Sequence, residues 1–244
     1  MPAHPVQVHP ITQSAPVTSK AKYMTTNETI LLYHSPQSRS AAALTLLEEL
    51  GAPYELRVLN MKAGEQRQSA YLAVNPLGKV PAIRHRGELI TEQVAIFIYL
   101  ADLFPKAALA PPTGDPLRGP YLRWLVYYAA CYEPALVDKA MKREPVPLAT
   151  SPYGDFDTML GTVVDRLANS PYLLGDVLSA ADMLWGMALQ WGTLFKIVPE
   201  SAVITRYVAR VTSRTSFAKV AALDAEWAMA HEQALKGPLT RAPR

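Results

Sequence analysis

The sequence predicts an α+β protein in two parts, a small sheet-bearing domain followed by an all-helical one. Three observations carry that prediction. A short apolar run, Ile30-Leu31-Leu32-Tyr33, precedes apolar positions at helical spacing, Ala43, Leu44, Leu47 and Leu50. A stretch of linker composition, Ala110-Pro111-Pro112-Thr113-Gly114-Asp115-Pro116, interrupts the chain. After it, apolar residues recur only at helical intervals.

Each element follows in order. Ile30 to Tyr33 suits a buried strand, and His34-Ser35-Pro36-Gln37 is a polar turn. The helix carrying Ala43 to Leu50 ends where Gly51 provides a C-cap. Tyr54 to Leu59 reads as a second strand, completing a β-α-β unit whose strands run parallel with a right-handed crossover. The turn-rich segment Asn75 to Pro81 leads into a short strand at Ala82-Ile83. Glu88-Leu89-Ile90 pairs with it as a hairpin. Val94, Phe97, Ile98 and Ala101 mark a helix closed by Phe104-Pro105. Beyond the linker, helices are expected at Leu117 to Lys142, Asp155 to Ala168, Ala180 to Phe195, Ala202 to Thr212 and Ser216 to Leu235. In the third of these, Leu184, Met187, Ala188 and Trp191 form one apolar stripe. The expected domains are therefore residues 28–107 and 117–236. Residues 1–27 read as a flexible tail, too poor in periodic apolar residues to offset their ordering entropy, with Met24 an alternative start.

Composition narrows the function classes. Apolar residues make up 50% and charged ones 18%, a globular balance rather than a disordered one. A net charge of +3 without runs of like charge argues against nucleic acid as the main partner. Cys131 is the one cysteine, which excludes an intrachain disulfide and a cysteine-based metal site, so no metal is expected. The most apolar stretch, Val94 to Leu103, is too short to span a bilayer. The N-terminus lacks the apolar run of a signal peptide, and a cytoplasmic protein is the simplest expectation.

Four stretches, in this order along the chain, resemble the glutathione transferase superfamily. Leu32-Tyr33-His34-Ser35-Pro36-Gln37-Ser38-Arg39-Ser40 is similar to the strand-loop-helix that holds the catalytic hydroxyl. Asn75-Pro76-Leu77-Gly78-Lys79-Val80-Pro81 is close to the family's N-P-x-G-K-V-P loop. Thr91-Glu92-Gln93-Val94-Ala95-Ile96 looks like its E-S-x-A-I segment, with Gln93 in place of serine. Tyr172-Leu173-Leu174-Gly175-Asp176 followed by Ser179-Ala180-Ala181-Asp182 resembles its S/T-x-x-D capping box, and there Asp182 with Ser179 is read as capping its helix. The resemblance covers Ile30 to the last helix, with the first stretch most like serine-type bacterial and fungal members. It implies a thioredoxin-like N-terminal domain with an all-α C-terminal domain, glutathione as co-substrate, and a homodimer.

Thiol activation is the chemistry such a site must supply. A free thiol with a pKa of about 8.5 is mostly protonated at neutral pH. Each unit of depression requires about 1.4 kcal/mol of preferential thiolate stabilisation. A hydroxyl donor near the sulfur, helped by amides at a helix N-terminus, supplies that amount. Ser35, directly after the strand, is the first choice, with Ser38 and Ser40 as alternatives; all three also suit turns and N-caps. Arg39 either steadies the site electrostatically or serves as a structural ion-pair partner. His34 is read as a wall of the second-substrate pocket rather than a base, because no second polar group that would tune it is identifiable.

The resemblance implies the remaining contacts. Pro81 is expected in a cis peptide bond that aims the Val80 backbone groups at an extended peptide. Glu92 would take the glutathione ammonium, Gln93 the γ-glutamyl carboxylate and Lys79 the glycyl carboxylate. The second substrate is expected against the first long helix of the α domain, where Trp124, Tyr127, Tyr128, Cys131 and Tyr132 cluster, although aromatic stripes also make cores. The reaction expected is attack of glutathione on a hydrophobic electrophile or a peroxide, with no cysteine in the active-site stretch to support disulfide chemistry. The rival reading is a non-catalytic glutathione-fold binding or regulatory protein, towards which the Gln93 departure leans.

Overall fold

The computed structural model describes residues 29–236; the expectations for residues 1–27, Met24 included, lie outside the described residues. Four strands and nine α-helices make up the described chain. They are β1 (Ile30–His34), α1 (Ser40–Leu50), β2 (Tyr54–Val58), α2 (Ser69–Leu72), β3 (Ala82–His85), β4 (Glu88–Ile90) and α3 (Gln93–Leu103), then the helices α4 (Arg118–Tyr127), α5 (Glu133–Ala140), α6 (Phe156–Ala168), α7 (Ala180–Leu194), α8 (Ala202–Thr212) and α9 (Thr215–Lys236). This is the mixed α+β order predicted, a thioredoxin-like β-α-β then β-β-α arrangement followed by helices.

The chain separates into two compact units, residues 29–96 with 219–236, and residues 97–218. The division runs through α3 and α9 rather than along the expected linker. Most of α9 thus belongs with the sheet.

In the sheet unit the strand order is β2-β1-β3-β4. β1 and β2 are parallel with Leu32 opposite Leu56, and β3 is antiparallel to β1 with Ile83 opposite Leu32. β1 alternates, burying Ile30, Leu32 and His34 on one face. That alternation places a histidine at the buried end of the central strand, beside the loop to α1. Gly51 takes the left-handed conformation (φ 61°) that closes α1. Arg86 and Gly87 both have positive φ, as the two-residue turn between β3 and β4 requires.

In the helical unit the long helix expected over Leu117 to Lys142 is three segments, because Tyr128–Tyr132 forms a π-helical turn between α4 and α5. Pro134 lies in the first turn of α5 and lacks an N–H, which explains the local break in the α-helical ladder. The apolar stripe of α7 is also rotated from the expected one. Ala181, Leu184, Trp185 and Leu189 are buried, whereas Met187 and Trp191 are only half-buried. Trp185, fully buried, lies 6.1 Å from the Trp124 ring, 6.3 Å from Tyr127, 5.8 Å from Tyr128 and 4.9 Å from Tyr132. Its indole N–H donates to the Trp124 carbonyl at 3.0 Å.

Asp155 caps α6 by accepting the Thr158 N–H at 2.8 Å. That bond holds its carboxyl below the ordinary carboxylate value. A depressed folded value contributes stability that is present above the unfolded value and lost as pH falls through the folded one. Asp155→Ala is therefore expected to lower the urea midpoint at pH 7, with the difference from the unmodified protein shrinking below about pH 4.

Candidate active site

The site is built where β1 ends and α1 begins, within the sheet unit. His34 is the last residue of β1 and fully buried. Its Nε2 lies 3.0 Å from Asp224 Oδ1, on α9, and its Nδ1 lies 2.9 Å from Ser40 Oγ, at the start of α1. Ser40, also fully buried, accepts the Ser35 N–H at 3.0 Å and has Ser38 Oγ at 2.7 Å. Ser38 Oγ is also 2.7 Å from the Ser35 carbonyl and accepts the Ser40 N–H at 3.2 Å. Asp224 closes the circuit by accepting the Gln37 N–H on its other oxygen at 2.9 Å. Gln37 has φ 57°, a left-handed conformation that glutamine adopts at a cost and that this bond helps hold. The Trp227 ring packs 5.3 Å from the His34 ring.

The three candidate serines are thus not equivalent. Ser35 is 2% exposed and Ser40 0%, while Ser38 is only half-buried. Ser38 is the least buried of the three and lies at the amino end of α1, where backbone amides favour negative charge.

His34 needs a correction. The sequence reading placed it on a pocket wall for want of a second polar group. Asp224 is that group, 190 residues away in the chain, and both ring nitrogens have partners. The wall assignments on α4 change for a related reason. Trp124 and Tyr128 are each 4% exposed, part of the aromatic core around Trp185. Tyr127 is half-buried and donates to the Met159 carbonyl at 3.1 Å. Cys131 is half-buried with its Sγ 3.6 Å from the Pro152 carbonyl, and burial pushes its thiol up from the ordinary value.

The second motif forms a pinned loop. The Lys79 carbonyl accepts from the Tyr71 hydroxyl at 2.6 Å and from Asn75 Nδ2 at 2.9 Å. Asn75 Oδ1 in turn accepts the Leu77 N–H at 3.1 Å. Gly78 has φ 59°, and a Cβ there would stand 2.6 Å from the Gln66 carbonyl oxygen, so glycine is the residue that fits. The Val80–Pro81 bond is cis, as the resemblance implied. Lys79 is exposed and Val80 buried among Leu59 and Tyr71.

The third motif sits at the start of α3. Glu92 is exposed and left-handed at φ 63°, in a conformation rare outside glycine and asparagine. Gln93 Nε2 donates to the Arg39 carbonyl at 3.0 Å, tying the start of α3 to the loop before α1. Arg39 is itself exposed. Asp224 is the functional candidate that sequence reasoning missed. Its one-dimensional signal is one of three acids on the last helix, beside Glu226 and Glu232, which any solvated helix also shows.

No helix among the described residues is long and apolar enough to cross a membrane. A family model, glutathione S-transferase, N-terminal domain, matches residues 28–102, which contain the serine loop, the cis-proline loop and Gln93. Glutathione S-transferase GstA of Escherichia coli O157:H7 is 28% identical over 186 residues, 75% of this chain and 92% of its own length. Glutathione S-transferase F10 of Arabidopsis thaliana is 30% identical over 167 residues, covering 63% of this chain and 77% of its own. Among solved structures, a glutathione transferase from Methylococcus capsulatus superposes with a TM-score of 0.69 at 29% identity, covering 81% of this chain and 99% of that one. A sphingomonad glutathione S-transferase complexed with glutathione gives 0.66 at 26% identity, covering 80% and 98%. The chain belongs to the glutathione S-transferase family.

Proposed function

We propose that this protein is a glutathione transferase in which the Ser38 hydroxyl donates to the glutathione sulfur and holds it as thiolate for attack on a hydrophobic electrophile. The observation that carries the assignment is the unequal burial of the three serines, with Ser38 half-buried and its neighbours sealed. The magnitudes suffice. Two units of thiol depression require about 2.7 kcal/mol. A hydrogen bond to a charged partner contributes about 1.5–3 kcal/mol, and a helix amino terminus about 0.3–1 kcal/mol more.

In this reading the rest of the peptide lies along the cis-proline loop, with the Val80 N–H and C=O pairing with it as an added strand would. Glu92 takes the ammonium and Lys79 the glycyl carboxylate. Gln93, whose Nε2 donates to the Arg39 carbonyl at 3.0 Å, takes the γ-glutamyl carboxylate. A homodimer and a cytoplasmic setting complete the proposal. Titration of the thiolate absorbance of glutathione in the presence of the protein tests it. A bound thiol ionising well below about 8.5 is expected. Binding without depression would favour the non-catalytic reading.

A further inference from the structure

We infer that His34, held by Asp224, is the terminal acceptor of the glutathione thiol proton, which reaches it through the hydroxyls of Ser38 and Ser40. This rests on the assignment of Ser38 to the sulfur. Four heavy-atom separations make the path: Ser38 Oγ to Ser40 Oγ 2.7 Å, Ser40 Oγ to His34 Nδ1 2.9 Å, His34 Nε2 to Asp224 Oδ1 3.0 Å, and Asp224 Oδ2 to the Gln37 N–H 2.9 Å. All are hydrogen-bond distances.

The donor inventory fixes the directions. Asp224 as carboxylate only accepts, so His34 carries a proton on Nε2 and the neutral ring leaves Nδ1 as an acceptor. Of the two acceptors that face the Ser40 hydroxyl, Nδ1 at 2.9 Å is nearer than the Ser35 carbonyl at 3.1 Å, and in the relay Ser40 donates to Nδ1. Its oxygen accepts the Ser35 N–H at 3.0 Å and has one lone pair left, towards Ser38. Ser38 has one proton and two acceptors at 2.7 Å, Ser40 Oγ and the Ser35 carbonyl. When Ser38 donates to Ser40, its oxygen, which also accepts the Ser40 N–H at 3.2 Å, keeps one lone pair to receive from an S–H.

The step then balances without any outside reagent. The S–H bond breaks and its proton goes to Ser38 Oγ, the Ser38 proton goes to Ser40 Oγ, and the Ser40 proton goes to His34 Nδ1. Sulfur keeps the electron pair. The products are a thiolate accepting from Ser38, a Ser40 hydroxyl turned towards Ser38, and an imidazolium between Ser40 and the Asp224 carboxylate. In free solution a thiol at about 8.5 and an imidazole at about 6.5 disfavour this transfer about a hundredfold. Asp224 Oδ1 stays 3.0 Å from the Nε2 proton that the ring keeps, and the Ser38 donor with the α1 amides favours the thiolate.

Burial suits the role. His34 and Ser40 are fully buried and Asp224 is 7% exposed, so the inner end of the path is shielded from solvent and Ser38 is its outer end. The other titratable group facing His34 is His231, two turns beyond Asp224 on α9. Burial holds its own protonation down, with Glu65 pulling the other way. A carboxylate thus directly faces His34, while the second imidazole resists becoming a competing cation. His34 and Asp224 never touch the sulfur, and they act as positioning residues through the two serines.

The test compares the thiolate formed with the protons released. Glutathione binding is measured by calorimetry in two buffers of unlike ionisation enthalpy at pH 7, with the thiolate fraction read by absorbance in parallel. S-methylglutathione, which has no thiol proton, supplies the correction for its carboxylates and ammonium. The expected result is a thiolate fraction at least twice the protons released per bound glutathione, with the His34 ring nitrogens shifting to imidazolium values in nitrogen NMR. In Asp224→Asn the two quantities become equal and the bound thiol pKa rises by about one unit, a tenfold fall in the thiolate-to-thiol ratio, with glutathione affinity within twofold. His34→Gln is expected to do the same. Equality in the unmodified protein, with His34 neutral throughout, would overturn the relay while leaving Ser38 in place. Absence of thiolate in the unmodified protein would overturn the functional reading itself.

Discussion

Replacing Ser38 by alanine is expected to lower kcat/KM about a hundredfold and return the bound thiol towards its ordinary value, with glutathione affinity nearly unchanged. The oxygen removed is half-buried and sits 2.7 Å from both Ser40 Oγ and the Ser35 carbonyl. Its loss deprives the thiolate of a charge-assisted donor, worth about 1.5–3 kcal/mol. In the proposed binding mode the rest of the tripeptide is held by the cis-proline loop and the start of α3, which this substitution does not touch. Ser35→Ala is the informative comparison. Its backbone N–H and C=O, which do the bonding here, survive the substitution, so an effect on kcat/KM below about threefold is expected. Steady-state kinetics with a chromogenic electrophile checks both. A large loss in Ser35→Ala with a small one in Ser38→Ala would return the catalytic role to Ser35.

The second large effect concerns folding. Asp182 is fully buried in the helical unit and accepts four hydrogen bonds. These come from the Leu173 N–H at 2.8 Å, the Ser179 N–H at 2.9 Å, the Ser179 hydroxyl at 2.8 Å and the Tyr207 hydroxyl at 3.0 Å. The carboxylate therefore caps α7, anchors the turn before it and fastens α8. Asp182→Ala leaves four donors without their acceptor in a dry interior, and a loss of about 3–5 kcal/mol is expected. Asp182→Asn is expected to fall between, since the amide keeps one acceptor and presents a donor where Asp182 presented its second. Urea unfolding followed by tryptophan emission reads this directly, because Trp185 lies on the same helix. A change below about 1 kcal/mol in the alanine variant would show that water replaces the carboxylate.

Local pattern carried most of the secondary structure. The alternation of β1, the Gly51 cap, the hairpin and the starts of α6, α7 and α8 all follow from interactions within a few residues of one another. The three glutathione motifs were legible for the same reason, since each is a contiguous turn whose backbone dictates its residues. Two readings failed where register decides. Helical spacing identified Trp124 and Tyr128 as one stripe, but whether that stripe meets solvent or Trp185 depends on a helix some sixty residues later. Met187 and Trp191 were read with Leu184 and Ala188 as one apolar stripe of α7, whereas the fully buried face runs through Ala181, Leu184, Trp185 and Leu189.

The sequence by itself determined the family, the order of elements and the short list of serines, because these depend on contiguous residues and on which side chains a turn or cap accepts. Only the tertiary structure decided which serine is least buried and what His34 is bonded to. A hydroxyl's availability depends on everything packed against it. The partner of His34 lies on the last helix, 190 residues on, and no local period links the two. Chain folding alone brings that carboxylate to the end of β1, within 3.0 Å of the buried histidine.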